Sequence, residues 1–150
     1  MKQKDKELLF KDLCTRLPYG VKVNNEIQGD FVIYGVCENY IFAKTTTSHV
    51  DFRIENIKPY LFPLSSMTEE GILELYKITY DTWYNDSLYY KKEEWISFRD
   101  SIKNNNLCFK NCIWLSDINK VIDWFNKNHF DYRGLIESGI AIDATNLNIY

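Results

Sequence analysis

"GVKVNNEIQGDFVIYGVCENYIFAKTTTSHVDFRIENIKPYLF" runs from Gly20 to Phe62, and its punctuation decides the fold class. The segment "GVKVNNEIQG" alternates apolar and polar residues. Short β-branched or aromatic runs follow: "DFVIYGVC", "NYIFAKT", "HVDFRI" and "IKPYLF". Turn-forming residues separate them: Asn24 and Asn25, Gly29 and Asp30, Glu38 and Asn39, Ser48, and Glu55 and Asn56. Runs of this length with tight connections predict antiparallel strands. About five strands in some 43 residues suit a small antiparallel meander or an SH3-like barrel. Spacing alone does not separate a closed barrel from an open curled sheet.

The flanks read as helices. Upstream, Leu8, Leu9 and Leu13, with Phe10 nearby, form an apolar stripe that Pro18 and Gly20 end. Downstream of Pro63, Ser66 followed by Glu69 fits a capping box, with Thr68 as the competing cap. Ile72, Leu75, Tyr76 and Thr79 then share a helix face. Trp95, Phe98 and Ile102 mark a second helix, which "KNNN" stops. Ser116 or Asp117 is placed to cap a third, through Val121, Ile122, Trp124 and Phe125, with Asn128 at its end. The expected fold is therefore α+β: an N-terminal helix, the small sheet, and a helical C-terminal half. We expect one domain over 1–150, with a β subdomain at 20–62 and a mainly helical part at 63–150.

Composition narrows the function classes. The net charge of −3 leaves no basic field for general nucleic-acid binding. No run of about 18 apolar residues offers a membrane span, and "MKQKDKELLF" lacks a signal peptide's apolar middle. These features predict a cytoplasmic protein whose four cysteines are thiols. Aromatic residues make up 16% of the chain. Most are expected in the core, and the remainder would suit a binding face, since Tyr and Trp favour interfaces.

Chemical motifs are sparse. Cys108 and Cys112 in "CFKNC" have the spacing of half a zinc site, but Cys14, Cys37, His49 and His129 supply no second close pair. We therefore expect no metal and no cofactor, and the cysteines read as small buried hydrophobes. No nucleophile elbow, phosphate-binding loop, zincin helix or dinucleotide fingerprint is present, so an enzyme is not the expected class.

The densest polar chemistry is "KNHFDYRGLIESGIAIDA", Lys127–Ala144. Asp131 is positioned to cap a short helix, "YRGLIES", which Gly139 would close in the left-handed conformation. Gly134 would let another element approach. As a structural corner it would pair Arg133 with Asp131, Asp143 or Glu137 and bury Phe130, Leu135 and Ile136. As a site, Arg133 and His129 would hold an anion at a helix start, with Tyr132 stacking on a ring. Asp131 opposes that use. The aromatic run Trp83, Tyr84, Tyr89 and Tyr90 is the other candidate face.

Three stretches, "KDLCTRLPYGVKV", "IKPYLFPLSSMTEE" and "HFDYRGLIESGIAIDA", resemble blocks of a family of small uncharacterised proteins encoded by phages and prophages of gut bacteria. The segment from Tyr80 to Asn111 matches no block and reads as a variable insert. The resemblance implies a phage context inside the infected bacterial cell. It carries over no activity and no catalytic residue. The expectation that follows is a non-enzymatic accessory protein of the counter-defence or host-takeover type. It would bind a host protein or a small anionic ligand such as a nucleotide. The alternative is a virion- or replication-associated module. Oligomeric state is left open.

Overall fold

A computed structural model describes residues 1–80, 92–105 and 115–150. The chain is α+β, with an N-terminal helix, a mixed sheet and helices in its C-terminal half. It forms two compact units. One comprises Met1–Phe62 and Arg133–Tyr150; the other is Pro63–Tyr132.

The first unit opens with α1 (Gln3–Arg16), followed by a 3-10 turn over Leu17–Tyr19. Gly20, at φ +67°, ends it in the conformation that an L side chain resists. The strands are β1 (Lys22–Asn25), β2 (Gly29–Cys37), β3 (Tyr40–Lys44), β4 (His49–Arg53) and β5 (Lys58–Pro63), with a 3-10 turn over Ile54–Asn56. All five match the runs read from sequence. Their order is β4-β3-β2-β1-β5. Thus β1 to β4 form the expected meander, but β5 returns beside β1 and does not continue from β4. The expected antiparallel sheet also gains a parallel member. The short β7 (Ile142–Asp143) pairs with β5, Tyr60 with Ile142 and Leu61 with Asp143.

Alternation explains the core. In β3, Ile41 and Ala43 turn inward; in β2, Phe31 and Ile33 do so. They meet Leu9 and Leu13 of α1, Val21, Val23, Phe52, Ile54, Ile57, Leu61 and Leu135, all buried in one cluster. Burying each such side chain contributes about 1.5–3 kcal/mol. Within this apolar mass lies an ion pair. Arg16 Nε is 2.7 Å from Asp12 Oδ2, and neither side chain is exposed.

Tyr150 completes the sheet in an unusual way. The β1–β5 register pairs Val23 with Pro59 and Asn24 with Lys58, so Lys22 falls opposite Tyr60. At that pair the Tyr150 hydroxyl is interposed. It accepts from the Lys22 N–H (3.2 Å) and donates to the Tyr60 carbonyl (2.8 Å). The Lys22 ammonium donates to the Ile149 carbonyl and lies 5.7 Å from the Tyr150 ring centroid. Burial pushes the Tyr150 hydroxyl from the ordinary 10.0 up to about 12, opposed by its bond from Lys22. Unfolded chains therefore ionise this tyrosine first. Its stabilisation is complete below about pH 10 and is lost as pH climbs towards 12. The residue keeps 43% exposure, and solvent screening reduces that loss. We expect Tyr150→Phe to cost about 1–3 kcal/mol at neutral pH by leaving two main-chain groups unmatched. A urea titration repeated at pH 7 and pH 11 should show a smaller alkaline loss in the variant than in the wild type.

The second unit holds α2 (Glu69–Tyr80), α3 (Lys92–Lys103), α4 (Leu115–Lys127) and β6 (Phe130–Asp131). Ile72, Leu75, Tyr76, Phe98, Ile102, Val121, Trp124 and Phe125 are buried together, as their spacing predicts. Two caps differ from expectation. The Thr68 hydroxyl accepts from the Gly71 N–H (3.1 Å) and caps α2, while the Ser66 hydroxyl donates to the Pro63 carbonyl (2.7 Å). Ser66 sits in a 3-10 turn, two residues too early to cap. Helix α4 begins at Leu115, so Ser116 and Asp117 fall inside its first turn.

Candidate functional site

The residues expected to form a site at 129–133 are divided between the two units, with His129 and Tyr132 in one and Arg133 in the other. His129 is buried and left-handed (φ +57°); it follows α4 and takes the position that glycine or Asn usually holds. Asn128, expected to end the helix, does so through its side chain, whose Nδ2 donates to the Trp124 carbonyl (2.9 Å). The Tyr132 ring stacks on Phe125 at 5.3 Å, and its hydroxyl donates to Asn126 Oδ1 (3.2 Å). Arg133 Nε lies 3.4 Å from Asp12 Oδ1, a carboxylate of α1 that the sequence reading did not name.

The corner itself is shorter than expected. "YRGLIES" makes one turn over 135–139 and no helix. Gly134, whose carbonyl accepts from Ser138 N–H (3.0 Å), stands at the cap position. Asp131 lies three residues upstream in β6 and is buried, which corrects its expected place as the cap. Gly139 does close the turn, at φ +73°. Its N–H reaches the Ile136 carbonyl, and Ile140 N–H reaches Leu135 (both 3.0 Å), a Schellman pattern. Gly134 serves backbone conformation (φ +74°), not close approach. Among the described residues no heavy atom lies within 4 Å of the place its Cβ would take. Leu135 is fully buried, while Phe130 and Ile136 are partly buried.

Trp83, Tyr84, Tyr89 and Tyr90 lie outside the described residues, as does the Cys108–Cys112 pair. Cys14 and Cys37 are free and exposed, which corrects their reading as buried hydrophobes. Among the described residues no cluster of three metal-ligating side chains occurs, and no helix is long and apolar enough to cross a membrane.

A different surface gathers exposed aromatic side chains. On β3, Tyr40 and Phe42 turn outward between the buried Ile41 and Ala43. The β2–β3 register shifts between Ile33 and Gly35, a bulge that leaves Tyr34 beside them. Tyr34, Tyr40 and Phe42 are 46%, 42% and 40% exposed. Tyr34 meets His49 edge-on at 5.4 Å and Phe42 at 6.3 Å. Phe42 packs over Gly35, where any Cβ would come 3.0 Å from its ring. Lys44 and Arg53 stand on the same face, with Asp51 between His49 and Arg53 on β4. Sequence reasoning read these runs as strands without asking which side each ring took. The signal was present: "YIFAK" is apolar on both faces, where a half-wet strand should alternate.

One cleft, of about 240 Å³, lies between the β1–β2 turn and the turn before β5. Asn24, Asn25, Glu26, Ile27, Glu55 and Lys58 are among its lining residues. A main-chain hydrogen bond and Lys6 hold the Glu55 carboxyl below its ordinary range. Its volume is under the roughly 300–1,000 Å³ typical of small-molecule sites.

Comparison of the chain with protein-family models, curated proteins and solved structures gives no match.

Proposed function

We propose that this chain is a non-enzymatic phage accessory protein that binds a host protein through the aromatic face of β2, β3 and β4. The observation that carries the reading is the clustering of Tyr34, Tyr40 and Phe42, each at least 40% exposed, on one side of a sheet. Aromatic side chains in water gain most from burial against a partner, and interface cores are enriched in them. Charge supports a protein as the partner. The first unit carries 10 Lys and Arg against 10 Asp and Glu, and residues 63–132 carry 8 against 11. The face thus belongs to a neutral unit with no field for a polyanion. A small anionic ligand is less well supported, because Asp12 already faces Arg133 and the cleft is small. We further read the sheet as SH3-like. The order β4-β3-β2-β1-β5 and the 3-10 turn before β5 favour that reading.

The test is affinity capture from host lysate with wild type and Phe42→Ser side by side. A host protein retained by the wild type should fall by about tenfold or more in the variant, the loss of one well-packed aromatic contact. Thermal melting should be nearly unchanged. Equal recovery of the same proteins by both would overturn the proposal.

A further inference from the structure

We propose that β4 is an edge on which a second copy of this chain pairs antiparallel, about a two-fold axis at Phe52. The proposal is independent of the host-protein reading. Its basis is the phase of the β3–β4 ladder. The Thr45 N–H donates to the Ser48 carbonyl and the Ile54 N–H to the Asn39 carbonyl, both at 2.9 Å. With Ala43 paired to Val50 and Ile41 to Phe52, residues 48, 50, 52 and 54 turn their main-chain groups toward β3. His49, Asp51 and Arg53 therefore turn theirs outward, at the end of the strand order. The side chains of the same three residues are exposed.

Charged residues usually blunt an edge. Here their order makes self-pairing complementary in one register. An axis at Asp51 would set that carboxylate against its own copy. An axis at Phe52 sets Asp51 of each copy opposite Arg53 of the other, twice. Both are hydrogen-bonded pairs, each exchanging two main-chain bonds. Asp51 has no ion pair among the described residues. Arg53 is 3.6 Å from Glu55 and its side chain remains 63% exposed. The second copy thus matches a carboxylate that the chain leaves unmatched. An axis at Val50 would pair Asp51 only with His49, whose ring already packs edge-on against Tyr34. Because the axis stands perpendicular to the sheet, both aromatic faces point the same way and become one surface.

A single short edge buries less than the roughly 1,200–2,000 Å² of a stable interface, so the dimer should be weak. Sedimentation velocity of the full chain up to about 1 mM reads it directly. Asp51→Arg and Arg53→Asp should each raise the dissociation constant by about tenfold or more, because each sets like charges opposite one another. Mixing the two variants in equal amounts should restore dimer, since only the mixed pair is complementary. The double variant Asp51→Arg/Arg53→Asp should dimerise alone, and circular dichroism should show each variant folded. A wild type that stays monomeric throughout would overturn the proposal. So would a dimer that the single variants leave intact, or variants whose mixture stays monomeric.

Discussion

Asp12→Ala should lower stability by about 3–5 kcal/mol, the largest effect we expect from one substitution. The carboxylate lies between two guanidinium groups, at 2.7 Å from Arg16 and 3.4 Å from Arg133. Arg16 has no exposure at all, so water cannot take the place of the carboxylate. Removing Asp12 takes away the carboxylate between Arg16, which is fully buried, and Arg133, which is mostly buried. Domains are stable by only about 5–15 kcal/mol, and the loss takes a large share. Urea unfolding followed by circular dichroism measures it. The double change Asp12→Leu/Arg16→Met should recover much of the loss, because a buried pair replaced by apolar groups of similar volume is often neutral. If the double change is as damaging as Asp12→Ala, the ion pair is not the source of the effect.

Leu135→Ala comes next, at about 2–5 kcal/mol. Leu135 is fully buried among Leu9, Leu13, Ile33 and Leu61. Its carbonyl also accepts from Ile140 (3.0 Å) and Ala141 (3.1 Å), so the surrounding main chain is tied in place and collapses poorly around a cavity. Thermal melting of Leu135→Ala beside Ile136→Ala tests this. Ile136 is only partly buried and should cost distinctly less. Equal losses would mean that the corner tolerates a cavity and contributes little to the core.

Most of the fold was legible because local signals agreed. Every strand run between Gly20 and Phe62 was bounded by turn residues, and each helix that packs had its apolar spacing. The return of β5 beside β1 was not legible, since strand order depends on long-range pairing that no local pattern encodes. The corner failed for a narrower reason. "YRGLIES" has helix-compatible residues, but left-handed glycines at Gly134 and Gly139 leave room for one turn only. Asp131, a good cap by type, was assigned to a helix that does not form. For Arg133 the sequence offered only nearby acids as partners, because Asp12, the carboxylate of α1 beside it, lies 121 positions upstream. The aromatic face was half legible: the strands were read, and "YIFAK" was apolar on both faces, but which rings stay in water became clear only from the burial of Ile41 and Ala43 between them.

The first unit is interrupted in sequence by the second, and this gives the chain a timing problem during synthesis. Leu135, Ile140 and Ala141 belong to the same core as Leu9 and Val21, and β7 pairs with β5, yet all leave the ribosome after residues 63–132. At about 5–20 residues per second, the sheet waits roughly 4–16 s between the emergence of β5 and of β7. Throughout that interval the β5 edge and part of the core stand open to water. Residues 63–132, whose core is drawn from one continuous segment, can fold meanwhile. Nascent chains truncated near residue 132 should therefore carry a protease-resistant second unit while the first remains open to cleavage.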